Sequence, residues 1–334
     1  MNRFISPIAT LIIVITVFSS CGNKTDNSPY GEILEQPPYS TITDSIKQEP
    51  KNDELYFRRA VLLNTNNQPQ PALADFKKAW SLKKDERYAY GISNLLLNRT
   101  PDSAILFLNQ ALQELPESFL LRLTLARSLN AQNKTEEALK ACNDLLAKNP
   151  NQVDLLKMKA DLLDRTGNKA EAITSLQTAY NLTPFDVELN YMFALKLAEA
   201  KNSRVISLCD SLQKADSAGH HAEPFYYKAI YYSNTGDKEK ALSLFNEAIR
   251  HDYTFMDAYI EKGAILYEQK KYADAYKVFD QAASISQQFA EAYYWRAKSE
   301  EAMGQKAEAK LDYERAYGLD KTFIEAKEAA DKLK

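Results

Sequence analysis

Small apolar residues recur along this chain at intervals of 32 to 36 residues. The row consists of Ala72, Ala104, Ala138, Ala172, Val205, Ala241, Ala275 and Ala309. A period in this range is typical of a solenoid, in which each unit is too small to bury its apolar face alone and depends on stacking. The pattern therefore predicts a stack of repeated units.

The stretch 153–186 shows what one unit contains. Leu156, Ala160 and Leu163 have the spacing of one buried helix face, and a second such face begins at Ala172. Gly167 lies between the two, where a residue that tolerates positive φ can end the first helix. Each unit is therefore predicted to be a pair of amphipathic helices.

Two further rows share this register. The eighth-position row is Ala60, Ile92, Ala126, Ala160, Ala194, Ala229, Gly263 and Ala297, and the twenty-fourth is Phe76, Leu108, Cys142, Leu176, Cys209, Phe245, Phe279 and Tyr313. These rows resemble the tetratricopeptide repeat family, whose motif of about 34 residues has small and large apolar residues at these positions. The resemblance implies an all-α, right-handed α-solenoid of about eight helix pairs. The units lie near 53–84, 85–118, 119–152, 153–186, 187–221, 222–255, 256–289 and 290–323, with a capping helix over 324–334.

Two units depart from the pattern. Ile92 stands where the second unit should have a small residue. The fifth unit is followed by the irregular stretch Ala215–Pro224, which we interpret as a local distortion or hinge.

The N-terminus is predicted to lie outside the repeats. Arg3, the apolar stretch Phe4–Phe18 and Ser19-Ser20 form the pattern of a signal peptide over residues 1–20. The residues around Cys21 resemble the bacterial lipobox, which implies that Cys21 is acylated and that the protein is anchored by lipid in the cell envelope. Gly22 resembles outer-membrane sorting, on either the periplasmic or the surface side. The alternative is an ordinary signal peptide with an incidental cysteine.

Residues 21–52 are then predicted to be a flexible linker, because they are rich in Pro, Ser, Thr, Asn and Gln and show no apolar period. Asp44-Ser45-Ile46 and Asp216-Ser217-Ala218 resemble an O-glycosylation sequon of some envelope proteins. Because both triplets lie in predicted loops, Ser45 and Ser217 are candidate glycosylation sites. The alternative is that Asp-Ser serves only as a helix start.

Composition argues against only one class of function, the binding of nucleic acid. The net charge is −3 and the two signs are interspersed, so no basic stripe suggests nucleic-acid binding. Cys142 and Cys209 fall in an apolar row and are predicted to be core residues, and only three histidines are present. We find no residues arranged for nucleophilic catalysis, phosphate binding or a closed metal site. The sequence therefore predicts a protein that is not an enzyme and has no cofactor and no metal.

The family resemblance implies that the first helix of each unit lines a concave groove. A carboxylate-clamp function is disfavoured, because the one lysine at the fifth position, Lys157, is followed by Asp161. In the last four units the resemblance instead places an apolar and aromatic set, named here the aromatic face: Tyr191, Leu195, Tyr226, Tyr227, Ile230, Ile260, Tyr267, Tyr294 and Trp295.

Acidic residues surround the aromatic face, among them Asp257, Glu261 and Glu291. Rigid aromatic residues ringed by charge are typical of a peptide-binding hot spot, and these acids favour a protein or peptide partner with Lys or Arg. The hypothesis is an adaptor for envelope assembly, secretion or wall remodelling. One alternative is a carrier of a non-protein ligand such as a glycan in the same groove. Another is that the rings merely pack between adjacent first helices.

Overall fold

The computed structural model describes residues 29–216 and 221–333, and every regular element in these two ranges is an α-helix. The predicted all-α fold is confirmed. The chain forms two compact units, Met1–Leu121 and Arg122–Lys334. None of the described helices is both long enough and apolar enough to cross a membrane.

The first unit contains six complete helices within its described residues, 29–121. They are α1 (Gly31–Leu34), α2 (Ser40–Gln48), α3 (Asp53–Thr65), α4 (Pro69–Leu82), α5 (Glu86–Leu97) and α6 (Pro101–Glu114), followed by α7 (Phe119–Ala131), in which the first unit ends. Proline opens both α4 and α6, where its missing N–H costs no hydrogen bond. Asp85 caps α5 by accepting from the backbone N–H of Arg87.

The predicted flexible linker over 21–52 is wrong where the structure describes it. Leu34, Tyr39 and Ile46 are buried, and α2 packs on α3. The Thr43 hydroxyl donates to the Leu34 carbonyl at 2.7 Å and accepts from Arg59 Nη1 at 2.9 Å. The buried positions Tyr39, Thr43 and Ile46 do have helical spacing, but threonine and the neighbouring prolines concealed it.

This correction extends to one candidate glycosylation site. Ser45 lies within α2, and its hydroxyl donates to the Thr41 carbonyl at 3.0 Å, so it does not lie in a loop. Residues 1–20, Cys21 and Ser217 lie outside the described residues.

Helix α2 occupies the place of a second repeat helix. Arg59 binds Thr43 and Asp75, each 16 residues away. Arg296 in the last repeat likewise binds Asp280 and Asp312, each 16 residues away. Because the same spacing recurs, α2 stands in the register of the second helix of a preceding pair.

The second unit continues the helix pairs from the end of α7. Its further helices are α8 (Thr135–Lys148), α9 (Val153–Arg165), α10 (Lys169–Leu182), α11 (Val187–Glu199), α12 (Arg204–Ala215), α13 (Glu223–Thr235), α14 (Lys238–His251), α15 (Met256–Glu268), α16 (Tyr272–Ile285), α17 (Ala290–Ala302), α18 (Lys306–Leu319) and α19 (Ile324–Lys332). Gly167 has φ +80° and follows α9 closely, as its predicted role requires. From α8 onward each helix packs on the next in sequence, and α19 covers α18 with Ala326 and Ala330 buried.

Close helix approach explains two of the glycines. An added Cβ at Gly263 would clash with the Phe279 ring of the same repeat, which is why the eighth position is small there. At Gly91 the close approach is to the preceding repeat, because an added Cβ would lie 2.6 Å from the Phe76 ring. Ile92, at the eighth position of the second repeat, is a fully buried core residue.

Candidate functional site

The structure divides the rings of the aromatic face into two clusters. In the first, the Tyr227 ring lies 5.9 Å from Tyr191 and 5.7 Å from Tyr226. Phe255, from the connection before α15, packs edge-on at 4.9 Å from Tyr226, and His221 lies 6.0 Å from Tyr191. Burial raises the pKa of all three tyrosines above its usual range, so they stay neutral and act as hydrogen-bonding aromatic surface.

The second cluster is formed around Trp295. This indole stacks on Phe279 at 5.8 Å and meets Tyr267 at 5.9 Å and Tyr294 at 6.0 Å. The Lys298 Nζ lies 4.2 Å from the Trp295 ring and within 5.5 Å of both tyrosine rings. The second cluster therefore already holds a cation from its own chain.

Two predicted partner contacts are corrected. Ile230 is 8% exposed and Ile260 is 7% exposed, so both support the face from below and are not available to a partner. Their position on the first helix is as expected, but in each case the neighbouring helices cover the side chain. Leu195 and the six aromatic residues of the face are half-buried. Each of these side chains therefore packs against the protein on one side and remains accessible on another.

Three carboxylates lie next to the clusters. The charges of Asp257 and Glu261 on α15 raise the pKa of Tyr226. The charge of Glu291 on α17 raises the pKa of Glu261. The pKa of Glu261 is raised, first by burial and then by the Glu291 and Asp257 charges. Within the described residues, none of the three has a lysine or arginine within ion-pair distance. We name Asp257, Glu261 and Glu291 the acidic triad.

In the earlier repeats of the second unit, the corresponding acidic residues do have basic partners. Lys157 binds Glu188 at 2.9 Å, and Arg127 lies 4.0 Å from Asp154. Acidic residues therefore occupy the same first-turn position but are matched by basic ones. The pairing with Glu188 also removes Lys157 as a free cation for a partner's carboxylate.

The first unit contains a cavity of about 320 Å³ on its first-helix side. Its walls include Phe57, Val61, Asn64, Phe76, Tyr90 and Asn94. Sequence reasoning missed it, because no residue type there is unusual. The available signal was the register: Asn64 stands on the first helix at the position where the seventh repeat has Tyr267.

No reactive chemistry emerges from the described residues. Cys142 and Cys209 are buried free thiols, and burial raises the pKa of Cys142 to about 11 and that of Cys209 to about 12. Such thiols are poor nucleophiles at neutral pH. Within residues 29–216 and 221–333, no group of three or more His, Cys, Asp or Glu side chains is placed to hold a metal ion.

Comparisons with known proteins follow the repeat pattern. Family models described as tetratricopeptide repeat match residues 95–162, 226–289 and 290–323. Two curated relatives are a DnaJ homolog subfamily C member 7 homolog of Schizosaccharomyces pombe, 23% identical over 193 residues, and interferon-induced protein with tetratricopeptide repeats 2 of Cricetulus griseus, 27% identical over 224 residues. The first match covers 57% of this chain and the second covers 65%. The chain spans only 36% and 44% of the length of these relatives.

Solved structures show the same fold. A tetratricopeptide repeat protein from Parabacteroides merdae superposes with a TM-score of 0.54 at 18% identity. That match covers 84% of this chain and 97% of the other. At this identity the likeness establishes the fold alone.

Proposed function

Because the chain belongs to the tetratricopeptide repeat family, we propose that it is a non-enzymatic scaffold that binds a basic segment of a partner protein. The segment lies across the first helices α13, α15 and α17. The observation that carries the proposal is the acidic triad, three carboxylates beside half-buried aromatic rings that no lysine or arginine of the described residues pairs with.

The charges favour one place for the partner's cation. The second cluster holds Lys298, which repels another cation at that point. The first cluster holds no lysine or arginine against its tyrosine rings in the described residues, and it adjoins Asp257 and Glu261. A partner's lysine or arginine is therefore best placed between Tyr226 and the acidic triad, where it gains both ion pairs and a ring face.

The fold itself stabilises the negative charges of the acidic triad only weakly. Asp257 and Glu291 lie in the first turns of α15 and α17, where the helix dipole stabilises a negative charge. Glu261 lies in the second turn, and its raised pKa indicates that its ionised form is disfavoured in the free protein. A bound cation relieves this cost, which is why the triad favours a basic ligand over a neutral glycan.

The test uses an array of capped nine-residue peptides with randomised flanks and Lys, Arg, Leu or Glu at the centre. The triad variant Asp257→Asn, Glu261→Gln, Glu291→Gln keeps side-chain shape and removes three charges. We expect it to bind the Lys and Arg peptides about tenfold more weakly than the natural protein.

The matched control, Glu137→Gln, Glu171→Gln, Glu239→Gln, removes three charges from exposed second-helix positions and should change affinity less than about twofold. Equal loss in both variants, or a natural protein that prefers the Glu peptides, contradicts the proposal. Retention of a neutral oligosaccharide with no peptide bound would favour the glycan-carrier alternative.

The proposal includes a lipid anchor at Cys21 in the bacterial cell envelope, at the outer membrane, with a role in envelope assembly, secretion or wall remodelling. Its support is the lipobox-like sequence. Pro29, the first described residue, follows Cys21 by eight positions, so extended chain can span at most about 30 Å between them. An acylated Cys21 would hold the first unit close to the membrane and not on a long tether.

Metabolic labelling with a radioactive fatty acid tests the anchor. The natural protein should incorporate label and fractionate with membranes. Cys21→Ser should lose both properties, whereas the control Cys142→Ser should keep them. Label that persists in Cys21→Ser would refute lipidation at this residue.

A further inference from the structure

The cavity of the first unit and the second aromatic cluster occupy the same place in the repeat. Each lies between the first helices of two successive repeats, above the ring at the twenty-fourth position of the earlier one. The residues that correspond are Phe76 with Phe279, Tyr90 with Trp295, Asn64 with Tyr267, Ala89 with Tyr294 and Ser93 with Lys298.

We name this place between two successive first helices the notch. In the last two repeats the notch is filled. The Trp295 indole lies nearly parallel to the Phe279 ring, at 18° and 5.8 Å, and Tyr267 and Tyr294 close its sides. In the first unit the corresponding side chains are smaller or turned outward: Tyr90 is 40% exposed, and asparagine and alanine replace the two tyrosines. The result is the open volume of about 320 Å³ above Phe76.

We propose that this notch in the first unit is a second binding site, for an aromatic side chain on an uncharged peptide segment. The chain itself shows what such a notch accepts, because a flat aromatic ring fills the corresponding space in the last two repeats. A volume of about 320 Å³ falls at the lower end of the range for small-ligand pockets, enough for one large side chain.

The polar groups around the notch suit a peptide. Asn64 and Asn94 contribute amides from facing helices, and within residues 29–216 and 221–333 neither amide has a hydrogen-bond partner in the protein. A carboxamide offers both a donor and an acceptor, which matches the N–H and C=O of an extended backbone.

The charges around the notch favour a neutral ligand. Arg87 lies 4.9 Å over the Phe57 ring at one end, but its guanidinium binds Asp85 at 2.9 Å and Glu54 at 3.2 Å. Its charge is therefore already matched within the protein. This site differs in chemistry from the acidic triad, so the protein is bivalent and can hold two different segments at once.

The test measures the dissociation constants of capped peptides Ser-Gly-Ser-X-Ser-Gly-Ser, with X as Trp, Leu, Lys or Glu, by ligand-detected saturation-transfer NMR. The filled variant Asn64→Tyr, Tyr90→Trp copies the last repeats into the first unit at two exposed positions. Leu106→Trp, at a 62% exposed position on α6, is the control for an added indole. Circular dichroism verifies that each variant is folded.

We expect the Trp peptide to bind the natural protein at least about fivefold more tightly than the Lys or Glu peptide. The filled variant should lose this preference, and Leu106→Trp and the triad variant should both keep it. An unchanged Trp preference in the filled variant overturns the proposal, as does a natural protein that binds all four peptides equally. Loss of the preference in the triad variant assigns the aromatic ligand to the aromatic face and also overturns it.

Discussion

Repeats one and two and repeats seven and eight build the same notch and complete it differently. In the last repeats, Trp295, Tyr267 and Tyr294 fill it and Lys298 lies over the rings. In the first repeats it stays open above Phe76. The difference shows that one register position can serve as core or as site, and that its neighbours decide which.

Charge gives a second contrast between the same regions. The exposed Arg87 of the first repeats binds two carboxylates, whereas the acidic triad of the last repeats has no lysine or arginine within ion-pair distance in the described residues. We therefore expect neutral aromatic chemistry at the first notch and cation chemistry beside the aromatic face.

The largest effect should come from Arg59, the buried arginine of the first unit. Arg59 binds Asp75 at 2.6 and 2.8 Å with both side chains less than a tenth exposed. Arg59→Ala breaks this buried ion pair and removes the link to Thr43, so the first unit should lose about 3–5 kcal/mol. Hydrogen exchange of the α3 and α4 amides measures the loss.

The double variant Arg59→Met, Asp75→Leu separates loss of charge pairing from loss of packing. It should restore the first unit to within about 1 kcal/mol of the natural stability. A loss as large as that of the single variant would show that the ion pair itself, and not the cost of burying the Asp75 charge without Arg59, holds α2 in place.

Truncating Trp295 and the corresponding Tyr90 tests whether the notch is filled in the last repeats and open in the first. Trp295→Ala removes stacking on Phe279 and cover from Lys298, and should destabilise the second unit by about 3 kcal/mol. Tyr90→Ala removes an exposed side chain and should cost the first unit less than about 1 kcal/mol. Urea unfolding followed by circular dichroism compares them, and equal costs would remove the distinction.

The eleventh position tests a pH contrast. Glu300 is buried and its Oε2 has no hydrogen-bond partner among the described residues, whereas the corresponding first-repeat residue is the apolar Leu63. Burial, followed by the Asp312 charge, raises the pKa of Glu300 to about 7. The carboxyl is neutral and best tolerated at low pH, so its contribution to stability falls as pH rises from about 4.5 to about 7 and stays low above.

Glu300→Gln should therefore stabilise the second unit at pH 8 by about 1–3 kcal/mol, with the gain shrinking toward pH 5. Thermal unfolding at several pH values measures the difference between the two proteins. A difference that is constant across this range would mean that Glu300 does not titrate there.

The smallest expected effect is a change in peptide affinity on removal of the Lys298 charge. Lys298→Met keeps an apolar side chain over the rings and removes the charge. The affinity for a Lys-centred peptide should rise about threefold, because a competing positive charge is gone. Fluorescence anisotropy measures it, and weaker binding would show that Lys298 itself contacts the partner.

The fold was largely predictable, because stacked repeats impose rows of small and large residues that appear directly in the sequence. The prediction failed at α2, where Thr43 is buried by a hydrogen bond with Arg59 that no apolar pattern reveals. It also failed to see the close approach of the Phe76 ring to Gly91, because that contact joins two successive repeats and leaves no row in the sequence.

The site was predictable only as a set of residue types. Register placed the aromatic face on first helices, but Ile230 and Ile260 are buried, while Phe255 and Lys298 contribute from positions that the set did not include. The open notch could not be predicted from the sequence. It results from the smaller or outward-turned side chains around Phe76, and no residue type there is unusual.

The central claim is that a basic segment binds across α13, α15 and α17. Hydrogen exchange of the natural protein, with and without the tightest Lys-centred peptide from the array, tests it most directly. We predict slowed exchange in 223–235, 256–268 and 290–302, with exchange in 53–65 and 86–97 unchanged. Slowing confined to those first-unit helices, or to the second helices of the repeats, would contradict the account.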